Sequence, residues 1–318
     1  MKNFNSQNEN ALKVKKKRWQ PKGRQVEQKY LDEIEILFVN IIIKRDELIE
    51  YFHLLQDKYG VLFDKHLVAL SEISKLPLSE LYEVATFYAH FNIVKDAKSF
   101  DPIKVVRVCE SLTCELFGAQ KILQDLKTQD CQNIKIVPGP CMGRCDVAPT
   151  VCVGKNYVDH ATAGKVIDTI NKKDFDAKIP AYKSYDNYIN EGGYLFTKKI
   201  DNKIVSNKEI IKCINDSGLK GKGGAGFPTG RKWELVLKNE GEKFIAINGD
   251  EGEPGTFKDK LYLETDPHRF LEGLLIASKV MNAKKVYIYL RDEYPAAIAI
   301  LRSEILKLEK EKLIKKNY

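Results

Sequence analysis

Residues 218–233, GLKGKGGAGFPTGRKW, place six glycines (Gly218, Gly221, Gly223, Gly224, Gly226 and Gly230) within thirteen positions. A run so poor in Cβ atoms strips side chains from one stretch of backbone. It leaves a loop whose backbone amides can lie directly against a flat ring or a phosphate. Downstream, Phe244, Ile245, Ala246 and Ile247 have the length and apolarity of a buried strand, and residues 248–259, NGDEGEPGTFKD, follow it. That polar stretch falls at a strand's C-terminal end, where open α/β sheets bind ligands. Together the two loops describe a cofactor pocket. A P-loop is excluded, because Gly221-Lys222-Gly223 does not supply the required Gly-Lys-Ser/Thr. GxGxxG can be laid over Gly221, Gly223 and Gly226, but no apolar strand leads into it, so a dinucleotide fingerprint is a poor match.

Of seven cysteines, four form two close pairs: Cys109 and Cys114 in CESLTC, and Cys141 and Cys145 in CMGRC. An odd count with paired spacing points to metal ligation rather than a disulfide framework. Two pairs on separate loops can converge on a rhombic [2Fe-2S] core, one pair to each iron. A four-cysteine zinc site would use the same thiolates in a tetrahedron but usually takes C-x2-C pairs, so spacing favours the cluster and leaves zinc open. Gly143, and Pro138-Gly139-Pro140 before the second pair, permit a loop tight enough for amides to approach sulfides. Cys131, Cys152 and Cys213 have no paired spacing and are expected to be buried free thiols. The histidines, His53, His66, His90, His160 and His268, form no ligand or catalytic pattern.

A length of 318 residues predicts about two domains. With 43% hydrophobic and 30% charged residues, a sizeable core can form. The net charge of +8 is concentrated in residues 13–24 and after Lys307. A solvated tail and a solvated helix face account for it. Trp19 alone interrupts the first basic run, too little for a base-stacking platform, so nucleic acid is not an expected partner. The longest apolar run, residues 36–43, is broken by Asn40 and falls far short of the ~18 residues that spanning requires. The N-terminus has no secretory h-region, so direct membrane insertion is not expected and a reducing cytoplasm is.

Residues 1–26 are polar and basic, a flexible arm. Residues 27–98 have helical periodicity, with Leu48, Tyr51, Phe52, Leu55 and Tyr59 on one stripe and Ser79 placed to cap a later helix. Residues 99–172 alternate: strand 105–108, helix 115–126, strand 134–137, a hairpin around Gly154-Lys155-Asn156 and a closing helix 161–171. That order suits a thioredoxin-like domain with its cysteines on loops. Residues 173–201 are a polar linker marked by Pro180 and Gly192-Gly193. In residues 202–318, helix 207–217 is followed by strand 244–247, a helix from Asp266-Pro267 with Phe270, Leu274, Ala277 and Met281 on one face, strand 286–290 and helix 295–312. The fold class is α/β and α+β multidomain: a helical bundle, a thioredoxin-like domain, then an incomplete Rossmann-like parallel α/β unit.

The glycine loop, the acidic loop and YIYLRDEY at 287–294 together resemble the FMN- and NADH-binding subunit shared by respiratory complex I, bidirectional hydrogenases and soluble NAD-dependent formate dehydrogenases. Upstream, QDKYG, VATFY, CESLTC and CMGRCDVAP resemble the 24 kDa-type iron–sulfur subunit and the thioredoxin-like [2Fe-2S] ferredoxins. The fused order and the phrases CESLTCELFGAQ, PCMGRCDVAP, YVDHAT and TFKDKLYLETDPHRFLEG most resemble the beta subunit of soluble NAD-dependent formate dehydrogenase, with the hydrogenase diaphorase subunit next.

The resemblance implies that Cys109, Cys114, Cys141 and Cys145 bind one [2Fe-2S] cluster. It implies that Gly221, Gly223, Gly224, Ala225 and Gly226 lie along FMN and that Lys232 meets the phosphate or ribityl oxygens. Asn248, Asp250 and Glu251 would bind the ribityl chain and ring edge, while Phe227 and Glu253 would face NADH by stacking and hydrogen bonding. On their own, Asp250, Glu251 and Glu253 read equally well as a solvated acidic turn. A phosphate held by one lysine implies FMN rather than FAD. The implied chemistry is hydride exchange between NAD(H) and flavin, then single-electron steps through iron–sulfur centres, with no acid–base dyad.

The resemblance runs from residue 27 to about 307 and covers only the first part of the flavin subunit. The family's Gly-Glu-Glu segment, ubiquitin-like domain and helical domain with a C-x2-C-x2-C [4Fe-4S] motif have no counterpart in this sequence. The chain is therefore expected to be a fragment, a frameshifted product or one piece of a split gene, inactive alone. It would work with other subunits of a dehydrogenase complex and with a polypeptide carrying the missing part. A non-enzymatic [2Fe-2S] electron-transfer or assembly module and a zinc-stabilised interaction protein are the other classes open to it.

Overall fold

The computed structural model describes residues 24–39, 41, 43–88, 90–95, 104–129 and 134–315. The basic run up to residue 23, Trp19 and Cys131 lie outside the described residues. The chain divides into two compact units, 1–103 and 104–318.

In the first unit, α1 (Gln28–Leu37), α2 (Leu48–Tyr59), β1 (Leu62–Phe63), α3 (Asp64–Ser74), α4 (Leu78–Phe87) and β2 (Ile93–Val94) follow in order. The stripe Leu48, Tyr51, Phe52, Leu55 and Tyr59 is the buried face of α2. It packs in one core with Ile34, Leu62, Leu67, Leu70 and Leu81. Gly60 ends α2 in the left-handed region (φ 76°), its N–H donating to the Gln56 carbonyl, as helix C-termini favour. Ser79 is not the cap of α4: Pro77 holds that position with no side-chain bond, and Ser79 lies inside the first turn. β1 and β2 pair in parallel, Leu62 opposite Ile93.

The second unit begins with β3 (Lys104–Cys109), α5 (Leu112–Leu116), α6 (Ala119–Lys127), β4 (Ile134–Gly139), β5 (Val151–Val153), β6 (Asn156–Val158) and α7 (Ala163–Asn171). Its four strands lie in the order β4-β3-β5-β6. β3 pairs with β4 in parallel and with β5 antiparallel. The single helix expected over 115–126 is two helices, because Gly118 takes a left-handed φ of 91° between them.

Residues 173–201 are more than a linker: they hold α8 (Tyr185–Asn190) and α9 (Leu195–Asp201), and Tyr194 between them is fully buried. Tyrosine explains the difference, since an apolar ring with a polar tip reads as polar connector yet fills a core. Tyr194 Oη pairs with His268 Nδ1 at 2.9 Å and its N–H donates to Glu272 Oε2 at 3.0 Å. Glu272 also accepts from Tyr188 Oη at 2.7 Å, and His268 Nε2 meets Glu304 Oε2 at 2.8 Å. These contacts join the segment to the helices that follow.

Those elements are α10 (Asn207–Asp216), α11 (Thr229–Lys238), β7 (Lys243–Gly249), α12 (Lys258–Thr265), α13 (Pro267–Met281), β8 (Ala283–Leu290) and α14 (Pro295–Lys310). Ser206 and Glu209 close a capping box at α10. β7 and β8 pair in parallel, Ile245 opposite Val286 and Asn248 opposite Tyr289. On α13 the buried positions include Leu271, Val280 and Met281, whereas Phe270 and Leu274 are only half-buried. The stripe expected through Phe270, Leu274, Ala277 and Met281 is thus rotated toward Leu271. Phe244, Tyr287 and Tyr289 stand exposed on the sheet. Among the described residues no helix is long and apolar enough to cross a membrane.

Candidate iron–sulfur and flavin site

Cys109 is the last residue of β3, Cys114 lies in α5, and Cys141 and Cys145 follow β4. The register that sets Cys109 opposite Gly139 brings the two loops together at one end of the sheet. Cys141 Sγ and Cys145 Sγ are 3.6 Å apart. Cys109 hydrogen-bonds with both Cys114 and Cys141, so all four thiols converge. Cys109, Cys114 and Cys141 are buried and Cys145 is half-buried.

Mutual hydrogen bonds and burial shift the four thiols apart. Cys114 sits below the usual thiol value because Cys109 donates to it. Cys109 is raised as that donor, Cys141 is raised by its bond to Cys109, and burial raises Cys145. A metal centre that binds thiolates displaces these protons. Backbone N–H groups reach the sulfurs as well, Gly255 N to Cys145 Sγ at 3.2 Å among them. Convergent thiols met by amides fit an iron–sulfur core, whose sulfurs are tuned by such hydrogen bonds.

Among the remaining thiols, Cys152 is buried and pushed up to about 12 by burial. Cys213 is exposed, contrary to expectation: it lies on α10 away from Ile210 and Ile211, which carry that helix's buried face.

The glycine run closes into a loop pinched by Gly221 N to Phe227 O at 2.9 Å and by Thr229 N to Leu219 O at 2.9 Å. Between these ties, a Cβ at Gly223, Gly224 or Gly226 would meet no atom within 4 Å, and Gly224 and Gly226 have φ of 103° and 59°. The loop is thus an open cradle of bare backbone, the surface a flavin needs. Gly230 differs: a Cβ there would come closer than 3.0 Å to Asn215, so it serves the packing of α10 on α11. Ala225 and Phe227 are exposed along the cradle and its base, and Lys232 is exposed on the first turn of α11.

The acidic loop leaves β7. Asn248 Oδ1 accepts from Asp250 N at 3.0 Å, turning the chain. Asn248, Asp250 and Glu253 are exposed. Glu251 is buried, accepting from the N–H groups of Asp259 and Lys260 at 3.1 and 3.3 Å and from Tyr294 Oη at 3.1 Å. Burial would raise this carboxyl, but those donors at the N-terminus of α12 outweigh it and hold it below the usual range. Its role here is to anchor α12 to the loop.

A cavity of about 480 Å³ opens at the C-terminal ends of β7 and β8, lined by Ile247, Asn248, Gly249, Asp259, Tyr262, Leu263, Asp266, Arg269, Phe270 and Leu290. Asn248 is the one expected site residue in it, and the glycine cradle does not line it. Arg269 and Tyr262 gave no motif signal, since they reach the cavity from helical turns.

Residues 35–174 match the thioredoxin-like [2Fe-2S] ferredoxin family, and residues 214–316 match the Nuo51 FMN-binding domain. An NADH-quinone oxidoreductase subunit of Aquifex aeolicus is 45% identical over 141 residues, 44% of this chain and 33% of that one. The alpha subunit of the NAD-reducing hydrogenase HoxS of Cupriavidus necator is 28% identical over 303 residues, 85% of this chain and 50% of that one. The crystal structure of an air-oxidized NAD+-reducing [NiFe]-hydrogenase superposes with a TM-score of 0.64 at 23% identity, covering 84% of this chain and 50% of the other. The chain thus spans a third to a half of the length of these relatives. The converging thiols fall within the first matched stretch and the glycine cradle within the second, so this chain carries in one order a region similar to the thioredoxin-like [2Fe-2S] ferredoxins and a region similar to the Nuo51 FMN-binding domain.

Proposed function

We propose that the chain is an electron-transfer subunit of an NAD-dependent oxidoreductase complex, passing electrons between NAD(H), FMN and iron–sulfur centres in the cytoplasm. The observation that carries this reading is the 3.2 Å contact from Gly255 N in the acidic loop to Cys145 Sγ in the cysteine loop, which makes the two cofactor loops neighbours. When bound, FMN supplies the conversion between a two-electron donor and one-electron centres.

In this reading Cys109, Cys114, Cys141 and Cys145 hold the cluster. Gly221, Gly223, Gly224, Ala225 and Gly226 lie along the isoalloxazine, and Lys232 neutralises the phosphate. Asn248 and Asp250 hold the ribityl chain, and Phe227 and Glu253 receive the nicotinamide. Glu251 joins Asn248 and Asp250 at the ribityl chain and ring edge in this reading, and its carboxylate also ties the loop to α12. Domain limits of 27–98, 99–172 and 202–318 belong to the same proposal. So does a partner polypeptide of the same complex, for which the exposed Phe244, Tyr287 and Tyr289 offer apolar surface.

The finer reading, a complex that oxidises formate, rests on the quoted sequence phrases alone. A specific observation favours a hydrogenase-type complex as the second reading: the hydrogenase subunit matches across both domains in one chain, over 85% of this sequence. The test is to express the chain with its complex and assay reduction of NAD+ by formate and by hydrogen, with iron, acid-labile sulfide and released flavin measured. Equal iron and sulfide, lost together in Cys109→Ser and Cys141→Ser, with FMN as the flavin, is expected. Zinc without iron after anaerobic reconstitution, or recovery of FAD, overturns the reading.

A further inference from the structure

Between the cysteine loop and the acidic loop lies one buried guanidinium. Arg291, just after β8, is 8% exposed. Its Nη1 donates to the Glu251 carbonyl at 2.6 Å, its Nη2 donates to the Cys141 carbonyl, and its Nε donates to Glu293 Oε2 at 3.1 Å. The Arg291 guanidinium lies 5.4 Å from the Tyr294 ring centroid, and that ring fills the space facing Gly143 in the cysteine loop. Arg291 therefore touches the backbone of a cluster cysteine and the backbone of the flavin loop with two arms of one rigid fork.

We propose that Arg291 is a positioning residue for the [2Fe-2S] centre: it fixes the spacing of the cysteine and acidic loops, and its charge raises the reduction potential of the cluster. The proposal rests on the [2Fe-2S] reading of the four cysteines. Reduction adds negative charge to the cluster, and a cation one residue's backbone away, in a poorly solvated site, favours that state. Gly255 N–H, from the same loop that Arg291 ties down, donates to Cys145 Sγ and acts in the same direction. Glu293, 30% exposed in its side chain, partly cancels the guanidinium. The two residues should thus move the potential in opposite directions.

The experiment uses the full chain with its cluster reconstituted, titrated against potential by electron paramagnetic resonance, with iron and sulfide counted first. Arg291→Met keeps the volume and loses charge and bonds. It is expected to retain iron and sulfide, alter the reduced-state spectrum and make reduction about tenfold less favourable, ~59 mV more negative for a one-electron couple. Arg291→Lys keeps the charge but cannot span both carbonyls, so it should recover most of the potential but not the spectrum. Glu293→Gln, at a partly exposed position, should shift the potential positive. A wild-type potential and spectrum in Arg291→Met, or shifts of one sign in Arg291→Met and Glu293→Gln, overturn the proposal. If Arg291→Met does not fold, Arg291→Lys and Glu293→Gln decide it by the same criteria. Loss of iron in the wild-type chain would instead sink the cluster reading itself.

Discussion

Tyr194→Ala lowers the stability of the 104–318 unit by roughly 3–5 kcal/mol, the usual cost of emptying a large buried aromatic site. Tyr194 is fully buried and packs edge-on against Tyr188 and His268, with ring centroids 5.3 and 5.9 Å away. Its φ of 60° adds strain to any side chain other than glycine, so alanine keeps the strain and loses the contacts that hold it. Chemical denaturation of the full chain followed by near-UV circular dichroism measures this, and a loss under ~1 kcal/mol would contradict it. Tyr194→Phe isolates the hydroxyl. It should cost ~1–3 kcal/mol, because His268 Nδ1 is left buried without a donor.

The same site sets an acid limit. Burial holds His268 below its ordinary value of 6.5, even though Glu304 beside it pulls the other way. Tyr194 faces Nδ1 and Glu304 faces Nε2, with Tyr185 and Tyr188 against the ring and Asp186 and Asp266 nearby. The unfolded chain therefore binds this proton first as pH falls. The stability contribution is complete above about 6.5 and is lost as pH drops from there toward the depressed folded value. A stability profile that stayed flat from neutral pH down to 5 would be inconsistent with a neutral buried His268.

The second large effect falls on the cysteine loop. Gly143→Ala is expected to abolish cluster assembly and to destabilise the unit by about 2–5 kcal/mol, combining left-handed strain with overpacking. Gly143 has a φ of 64°, and a Cβ there would come closer than 3.0 Å to Tyr294 Oη, Cε1 and Cζ. That ring is 1% exposed and tied through its hydroxyl to Glu251, so it has nowhere to go. Iron and sulfide per chain give the readout. Adding Tyr294→Ala should recover part of the stability lost in Gly143→Ala, a coupling visible in a double-mutant cycle. Full iron content in Gly143→Ala would show that the loop is looser than this packing allows.

The cysteine pairs were legible because their chemistry is local: four thiols at short spacings, each pair on its own loop. β3, β4 and α7 were legible for a similar reason, as short apolar or amphipathic runs bounded by turn residues. α8 and α9 were not, because tyrosines and a buried histidine–carboxylate relay hold them, and such partners lie 74 to 84 residues away in sequence. Glu251 looked like one more ligand in an acidic loop. Only the fold reveals that the N-terminus of α12 claims its carboxylate, leaving Asp250 and Glu253 as the exposed acids. Arg291 carried no sign of its own role, since both of its carbonyl partners are backbone atoms, one of them 150 residues upstream.

That last separation has a consequence in time. The cysteine loop leaves the ribosome long before Arg291 is synthesised, and at ~5–20 residues per second the 150 residues between them take roughly 8–30 s. Throughout that interval Cys141 and Cys145 lack the guanidinium and the Tyr294 ring, and for most of it they also lack the Gly255 amide. Iron delivered to the nascent chain would therefore meet an open loop, and iron delivered to the finished chain a closed one.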